Sequence, residues 1–295
     1  MPPSPYKSGF VSLIGRPNSG KSTLLNSLVG SKISIVTPSP QTTRNVVRGI
    51  AGDECGQMVF LDTPGIHKPL HRMNQRMMRL SLEALEHVDL ILLIVDASVS
   101  RGRGDEFVLE LVRKAGIRRF LLLNKIDKIR KQDLLPMIAH YRSAAGFDEI
   151  MPVSALTGEG IPELRKEIYD VLPEGPQYYP GDQMSDQPER FVVSEMIREK
   201  LILMTRQELP HATAVSVERF DESGRVIRIH ASVIVERESQ KAIVIGKGGA
   251  MLKRIGTAAR KDIESLLHSR VHLALHVKVR KKWRDDDRML ETLGI

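Results

Sequence analysis

The sequence has little of what would hold a protein in a membrane or suit it to an oxidising compartment. Cys55 is its one cysteine, so no disulfide can form within the chain, and a cysteine-rich zinc cluster is excluded. No apolar run approaches the roughly 20 residues that span a bilayer. Residues 1–10 lack the basic and apolar segments of a signal peptide, and the chain has no internal repeat. These absences predict a cytoplasmic globular protein, and a length of 295 residues predicts about two domains.

What the sequence has in excess is positive charge. The formal net charge is +8, and residues 241–284 carry twelve Lys or Arg side chains against the two acids Asp262 and Glu264. An evenly solvated basic surface would explain a smaller and more dispersed excess. The concentration in one segment predicts an anionic partner, which could be RNA, DNA or a membrane surface.

Apolar runs alternate with helical patterns through the first 170 residues, which predicts a mostly parallel sheet flanked by helices on both faces. The predicted strands are Phe10–Ile14, Val46–Ala51, Met58–Leu61, Leu90–Val95, Phe120–Leu123 and Ile150–Val153. The predicted helices are Lys21–Val29, Asn74–His87, Glu106–Ala115, Asp133–Ala145 and Pro162–Val171. Residues 172–188 are rich in Pro and Gly and are typical of a linker.

The order of elements changes after residue 188. A helix over Glu189–Arg206 precedes strands over Ala214–Arg219 and Val226–Val235, and a helix to about His268 precedes a last strand over Val271–Val279. An apolar run that ends at Ile245 is predicted as a short strand, with a short helix or turn as the alternative. The tail after Trp283 is predicted as one more short helix.

The stretch GRPNSGKS, from Gly15 to Ser22, matches the phosphate-binding pattern G-x-x-x-x-G-K-[S/T] between a strand and a helix. Its glycines let backbone N–H groups turn toward phosphates, and the helix N-terminus adds partial positive charge. Lys21 would reach the β- and γ-phosphate oxygens, and Ser22 would bind Mg²⁺. Alone, the loop fits a small-molecule kinase or an ATPase as well as a GTPase.

Three further motifs follow predicted strands and favour guanine. In DTPG, Asp62 can hold Mg²⁺ through water, and Gly65 can offer a backbone N–H to a γ-phosphate. In NKID, Asp127 can accept hydrogen bonds from the N1–H and the amine of guanine, a pair of donors that adenine lacks. In Ser154–Leu156, a backbone N–H could meet the guanine O6. Because each motif follows a strand, we expect all of them at the carboxyl edge of one sheet.

Taken together, GRPNSGKSTLLN, PQTTR (residues 40–44), DTPG, NKID and SAL resemble the translation-factor-related GTPases. The C-terminal half narrows the resemblance to the Era family over essentially the whole chain. The resemblance implies that Thr43 is the second Mg²⁺-binding residue, beside Ser22 and Asp62, with Thr42 as the alternative. It implies catalytic roles for Lys21, Thr43 and Gly65. The implied nucleotide contacts are Gly15, Arg16, Pro17, Asn18, Ser19, Gly20, Lys21, Ser22, Thr23, Asp62, Thr63, Pro64, Gly65, Asn124, Lys125, Asp127, Ser154, Ala155 and Leu156.

The chain departs from Ras-like GTPases after Gly65, where Ile66 stands in place of a water-orienting Gln. Neither Arg44 nor Arg48 is assigned as an arginine finger, since both are expected to stabilise a loop or meet a partner. We therefore expect slow intrinsic GTP hydrolysis, because positioning and charge neutralisation carry most of this catalysis. Related GTPases with an asparagine at the position of Asn18 can use K⁺, so K⁺ stimulation is a further hypothesis.

A second glycine loop, Gly246–Gly249, fits G-x-x-G but lacks the Lys-Ser/Thr of a nucleotide site. Such a loop clamps the backbone of single-stranded RNA in KH domains, and the order of elements after residue 189 resembles a type II KH fold. Trp283 is expected to pack the last helix rather than to stack on a base. The predicted RNA contacts are Gly246, Lys247, Gly248, Gly249, Lys253, Arg254, Lys278 and Arg280.

The whole sequence thus predicts an α/β P-loop GTPase domain over residues 1–173, a linker over 174–188 and an α+β type II KH domain over 189–295. The resemblance implies a monomeric GTP-driven switch that binds small-subunit ribosomal RNA near its 3′ end and assists assembly of that subunit. It also implies peripheral association with the inner membrane. Two alternatives stay open, a P-loop small-molecule kinase or ATPase, and an RNA- or membrane-surface-binding protein with a vestigial nucleotide site.

Overall fold

The computed structural model describes residues 5–205 and 209–295, without the side chains of residues 144, 145, 210 and 211. The chain forms two compact units. The first unit comprises the residues up to Ser34, Pro40–Pro69 and Gln75–Asp186, and the second comprises Ile35–Ser39, Leu70–Asn74 and Gln187–Ile295. No helix in the described ranges is both long enough and apolar enough to cross a bilayer.

The first unit is a sheet with helices packed against it. Its elements are β1 (Lys7–Gly15), α1 (Lys21–Val29), β2 (Val47–Asp53), β3 (Gly56–Asp62), α2 (Arg72–Glu83, shared with the second unit), β4 (Leu90–Asp96), α3 (Arg103–Lys114), β5 (Arg119–Asn124), α4 (Leu134–Ala145), β6 (Glu149–Val153) and α5 (Ile161–Val171). The strand order is β2-β3-β1-β4-β5-β6, and β2 alone among these six runs antiparallel to its neighbour. The predicted mostly parallel sheet is confirmed.

The sequences of the central strands explain why helices cover both faces of this sheet. All seven residues of β3 are buried, as are the first five residues of β4 and the last five of β5. Strands that are apolar on both sides need cover on both sides. Because β1, β3, β4, β5 and β6 are parallel, their carboxyl ends at Gly15, Asp62, Asp96, Asn124 and Val153 meet at one edge.

The second unit contains a smaller sheet of order β7-β8-β9. Its elements are α6 (Glu189–Met204), α7 (Leu209–Ala212), β7 (Ala214–Asp221), β8 (Ile227–Val235), α8 (Glu238–Ile245), α9 (Ala250–Leu267), β9 (Val271–Val279) and α10 (Asp287–Thr292). Strand β8 pairs antiparallel with β7 and parallel with β9. One apolar core joins α6, α9 and the sheet, with Ile197, Ile229 and Ile255 at its centre. The predicted α+β fold is confirmed.

The apolar run before the second glycine loop is the helix α8, so the prediction of a short strand ending at Ile245 is wrong, and its helical alternative is correct. Gln240 and Val244 are the buried residues of α8, at the i, i+4 spacing of a helix face, while Ile243 is exposed. The Gln240 side chain also accepts hydrogen bonds from the N–H groups of Glu236 and Arg237 at 2.8 and 3.1 Å. In the predicted helix Glu189–Arg206, the last residue lies outside the described residues.

The predicted linker packs on the first unit over most of its length. The Ile50 N–H of β2 donates a hydrogen bond to the Met184 carbonyl at 2.8 Å, so this part of the linker lies along the edge strand. The Gln57 side chain accepts from the N–H of Tyr178 at 2.9 Å, and Arg48 pairs with Asp186 at 2.6 Å. Residues up to Asp186 therefore belong to the first unit, and the predicted boundaries at residues 173 and 189 stay a proposal.

Candidate functional site

The loop Gly15–Ser22 connects β1 to α1, and its Lys21 side chain forms hydrogen bonds to the backbone of the same loop. Gly20 has a φ of 100°, and a Cβ there would lie 2.2 Å from the Asn124 amide nitrogen, so a glycine is needed at this position. The buried Lys21 ammonium donates to the carbonyls of Gly15 and Arg16 at 3.1 and 2.9 Å. Burial lowers the pKa of Lys21 to about 8, against the opposing attraction of Asp62. The loop thus holds a desolvated cation at the carboxyl edge of the sheet.

Three hydroxyl groups meet one oxygen of Asp62 beside this loop. The Asp62 Oδ2 accepts from Ser22 Oγ at 2.7 Å, from Ser34 Oγ at 2.8 Å and from Thr43 Oγ1 at 3.4 Å. Ser22 and Thr43 also share a hydrogen bond of 2.8 Å. Burial raises the pKa of Asp62, while Lys21 and the three hydroxyls act in the opposite direction. The structure therefore brings together the three predicted metal ligands Ser22, Thr43 and Asp62.

The cluster fits Mg²⁺ by its chemistry. The second oxygen of Asp62, Oδ1, is buried and has no hydrogen-bond partner among the described residues, and such an atom calls for a ligand. Hydroxyl and carboxylate oxygens are the ligands that Mg²⁺ prefers, usually one or two carboxylates together with substrate phosphates. Ser22, Thr43 and Asp62 would hold the ion, which neutralises charge on the β- and γ-phosphate oxygens when bound.

The prediction from sequence missed two residues of this cluster, Asn26 and Ser34. Asn26, on α1, accepts from the N–H groups of Ile33 and Ser34 at 2.8 and 2.9 Å and donates to the Ser34 carbonyl at 2.8 Å. This clamp fixes the backbone of Ser34, whose hydroxyl then reaches Asp62. The stretch GRPNSGKSTLLN ends at Asn26 but gives it no role, and no motif includes Ser34, because the contact depends on how the loop after α1 folds back.

The predicted base-reading residues also converge. The Asp127 carboxylate accepts from Ser154 Oγ at 2.6 Å and is exposed at the end of β5. The buried Asn124 amide donates to the Ser19 carbonyl at 2.8 Å and accepts from the Ala155 N–H at 3.0 Å. Asn124 therefore ties the loop after β1 to the loop after β6, and its direct nucleotide contact stays a prediction.

Lys125 lies along the phosphate loop. Its ammonium donates to the Asn18 carbonyl at 2.7 Å and forms an ion pair of 2.6 Å with Asp96, at the end of β4. Asp96 is a further residue that the motifs did not mark. Leu156 is largely exposed at the same edge, and Thr23 lies in the first turn of α1. These positions are compatible with nucleotide contacts by Lys125 and Leu156.

The Arg16 side chain pairs with α3, and the predicted nucleotide contact of this residue stays a prediction. Its guanidinium pairs with Asp105 of α3 at 2.8 Å, and that carboxylate also accepts the Gly102 N–H at 2.9 Å. Arg16 therefore holds the beginning of α3, and what it offers to the loop is its backbone. Arg48 is likewise engaged with Asp186, outside the phosphate loop.

The segment after Asp62 packs tightly against the phosphate loop. A Cβ on Gly65 would lie 2.6 Å from the Pro17 nitrogen, so this position requires a glycine. The Thr63 hydroxyl donates to the Leu13 carbonyl at 2.7 Å, and the Pro64 carbonyl accepts the Ser81 hydroxyl at 2.9 Å. Ile66 is buried in the apolar core, so its side chain cannot orient an attacking water.

The second glycine loop opens onto a groove of the second unit. Gly246, Gly248 and Gly249 all have positive φ, and a Cβ on Gly248 or Gly249 would meet nothing within 4 Å. The open face of this loop is therefore accessible to a ligand backbone. The neighbouring groove has a volume of about 360 Å³ and is lined by Gly249, Leu252, Lys253, Gly256, Thr257, Arg260, Leu273 and Leu275.

Two other residues singled out by the sequence analysis have partners within this unit. Lys278 pairs with Glu218 of β7 at 2.5 Å and does not line the groove, and its contact with RNA stays a prediction. The indole of Trp283 is buried and donates to the Ala212 carbonyl at 3.0 Å, as expected for a packing residue. Sequence reasoning missed Thr257 and Arg260, which lie one and two turns after Lys253 on the groove face of α9.

Comparison with known proteins agrees with both units. A family model described as "50S ribosome-binding GTPase" matches residues 10–125, and a KH domain model matches residues 208–284. A GTPase Era from Syntrophus aciditrophicus (strain SB) is 50% identical over 291 residues, which cover 98% of this chain and 95% of that protein. The chain belongs to the Era family of GTPases. As a member of this family it hydrolyses GTP to GDP and phosphate.

Two solved Era structures resemble the chain over its whole length. An Aquifex aeolicus Era variant bound to GDP·AlF4⁻ has a TM-score of 0.94 at 37% identity, and the match covers 98% of this chain and 99% of that one. An Era in complex with MgGDPNP and nucleotides 1506–1542 of 16S ribosomal RNA has a TM-score of 0.95 at the same identity and coverage. The folds of the first and the second unit are thus those of the solved Era structures.

Proposed function

We propose that this chain is a GTP-driven switch that binds small-subunit ribosomal RNA near its 3′ end and takes part in the assembly of that subunit. The observation that carries the proposal is the open G-x-x-G loop beside a basic groove, in a chain whose Era relative binds nucleotides 1506–1542 of 16S ribosomal RNA. The glycines admit the sugar-phosphate backbone, and Lys253 and Arg260 offer charge to it. Lys247 and Arg254 are exposed close by and are proposed as further contacts.

GTP is proposed to act through the loop that carries Thr43. The γ-phosphate and Mg²⁺ would order residues Ser31–Arg44, and hydrolysis would release them. The cluster of Ser22, Ser34 and Thr43 on Asp62 supports this assignment, because it already links that loop to the phosphate loop. The switch would then change the affinity for RNA.

The test is RNA binding in three nucleotide states. The RNA fragment of nucleotides 1506–1542 would carry a fluorophore, and its anisotropy would be titrated with the full chain bound to a GTP analogue, to GDP or to no nucleotide. The proposal expects saturable binding and affinities that differ between the states by about fivefold or more. Binding that is equal in all three states would exclude the switch, and no binding in any state would exclude the RNA function.

Catalytic roles, metal binding, K⁺ stimulation and localisation are also proposed. Lys21, Thr43 and Gly65 are proposed to position the γ-phosphate, with Mg²⁺ at Ser22, Thr43 and Asp62. Stimulation by K⁺ is proposed from Asn18 alone, and equal turnover in Na⁺ and K⁺ would exclude it. A cytoplasmic monomer with peripheral membrane association is also proposed, and the basic segment 241–284 supports the membrane association.

A further inference from the structure

The Lys125 side chain is fixed at its charged end, although long lysine side chains at a protein surface usually move. Its ammonium donates to the Asn18 carbonyl at 2.7 Å and forms an ion pair of 2.6 Å with Asp96. Lys125 also has a φ of 67°, in the left-handed region that residues with a Cβ rarely adopt. Because fixing a lysine side chain lowers its rotamer entropy, the contacts at the ammonium must offset that loss. Two contacts therefore keep Lys125 beside the phosphate loop.

The Asp96 carboxylate is itself held in one orientation. Asp96 is the last residue of β4, where it pairs with Asn124 of β5. Its Oδ1 accepts from the Ser98 hydroxyl at 2.6 Å and from the Ser98 N–H at 2.9 Å, and its Oδ2 faces Lys125. Burial acts to raise the pKa of Asp96, but the hydrogen bonds from Lys125 and Ser98 outweigh burial, and the pKa is lowered. Asp96 therefore stays charged at neutral pH and presents one fixed oxygen to the ammonium.

The stem of Lys125 lies between the phosphate loop and the residue that is proposed to read the base. A Cβ on Gly20 would lie 3.9 Å from the Lys125 Cε, so the stem runs beside this loop. Asp127, the proposed acceptor for the guanine N1–H and amine, follows two residues later and accepts from Ser154. The methylene groups of a lysine can cover apolar surface while its ammonium stays in a polar contact. A purine that reaches Asp127 from the phosphate loop would therefore lie along this stem.

We propose that Asp96 is a positioning residue for the guanine base, because it holds the Lys125 stem where the purine contacts it. The proposal rests on the proposed nucleotide contact of Lys125 and adds the group that fixes that contact. Without the carboxylate, the ammonium would be left with the Asn18 carbonyl, and the stem would be free to turn toward solvent. The base would then lose an ordered apolar surface, while its hydrogen bonds to Asp127 would stay available.

A purely structural role for Asp96 makes a different prediction. Because Ser98 donates twice to its carboxylate, Asp96 also stabilises the turn after β4. The substitution Asp96→Asn separates the two roles, since the amide oxygen still accepts from Ser98 while the charge that holds Lys125 is lost. A second variant, Lys125→Met, keeps an apolar stem and removes the ammonium. In that variant Asp96 has no ammonium to hold, so a positioning role disappears and a structural role remains.

The test is the affinity of the full chain for a fluorescent GDP analogue. It is measured for the wild type, for Asp96→Asn, for Lys125→Met and for the double variant. The control is Asp105→Asn. Asp105 forms an ion pair of 2.8 Å with Arg16 beside the same loop, and its side chain is 12% exposed against 15% for Asp96. The control therefore removes a carboxylate that is buried to the same degree and pairs with a residue other than Lys125.

We expect Asp96→Asn and Lys125→Met each to bind the analogue about tenfold more weakly than the wild type. The ion pair is only partly buried, so the loss should lie between those of exposed and of buried pairs. The control should stay within about twofold of the wild type. In the Lys125→Met background, Asp96→Asn should change the affinity by less than about twofold, because the two residues act through one contact. Ser98→Ala keeps the charge, should weaken binding by about threefold, and replaces Asp96→Asn if that variant does not fold.

Each other outcome overturns the proposal in a distinguishable way. If Lys125→Met weakens binding and Asp96→Asn matches the control, Asp96 does not position the base and the contact of Lys125 stands. If Asp96→Asn weakens binding equally in both backgrounds, its role is structural and does not pass through Lys125. If Lys125→Met binds the analogue as the wild type does, the proposed nucleotide contact of Lys125 fails, and the positioning role fails with it. Wild-type affinity in Ser98→Ala, where that variant is needed, excludes the positioning role as well.

Discussion

Replacing Ser34 by alanine removes one of the three donors on the Asp62 carboxylate. The Ser34 hydroxyl lies 2.8 Å from Asp62 Oδ2, and both residues are buried. Loss of a hydrogen-bond partner of a metal ligand typically lowers metal affinity by about 10–100-fold, because that partner orients the ligand. The lower end, about tenfold, applies here because Ser22 and Thr43 still donate to the same oxygen. We expect the Mg²⁺ concentration needed for tight GDP binding to rise by that factor.

The assay is the release of a fluorescent GDP analogue in a stopped-flow instrument, at increasing Mg²⁺ and in excess EDTA. Without Mg²⁺, Ser34→Ala should release GDP at the wild-type rate, because Ser34 acts on the metal ligand and not on the nucleotide. The variant Ser34→Thr keeps the hydroxyl and should restore part of the Mg²⁺ dependence. The reasoning is refuted if Ser34→Ala shows the wild-type Mg²⁺ dependence, or if its GDP release is equally faster in EDTA.

Three further predictions concern the phosphate loop and its supports. GDP affinity should fall by up to tenfold per pH unit above about pH 8, because the pKa of Lys21 is lowered to about 8 and the phosphates bind its protonated form. Calorimetry between about pH 7 and 9 checks this, and the GDP affinity of Lys21→Arg should not change with pH over that range. Asn124→Ala leaves the buried Ser19 carbonyl and Ala155 N–H unpaired, at about 1–3 kcal/mol each, so thermal unfolding should show a lower midpoint and GDP should bind more weakly. Arg16→Ala should keep GDP affinity to within about twofold in the same calorimetry, because the guanidinium pairs with α3.

The parts of the nucleotide site that could be predicted from sequence are those whose chemistry fixes both residue type and place. Asp62 and Asp127 stand at or just after the ends of parallel strands, and Lys21 begins the helix after the loop that follows β1. Parallel strands bring such residues to one edge. Asn26 and Ser34 could not be predicted, because they meet through the fold of a loop whose sequence carries no periodic pattern. The pairing of Arg16 with Asp105 could not be predicted, because a motif specifies the path of the backbone and not the direction of the side chain.

The second unit shows the same distinction. The run before Gly246 is short and apolar, and helix and strand cannot be separated by pattern at that length. The position of Lys278 outside the groove could be predicted, since side chains alternate along a strand and Leu273 and Leu275 line the groove on the other face of β9. The basic excess of this segment indicates an anionic partner, but which of its charges line the groove and which are paired depends on tertiary contacts.

The measurement that tests the central claim most directly is nucleotide selection by the wild type and by Asp127→Asn. Asp127 lies at the carboxyl edge beside Ser154 and is assigned to the N1–H and amine of guanine. In competition binding the wild type should prefer GTP over ATP and XTP by at least about a hundredfold, and the variant should prefer XTP, whose C2 carbonyl accepts from the new amide. Equal affinity of the wild type for GTP and ATP, or unchanged GTP preference in the variant, would contradict the account.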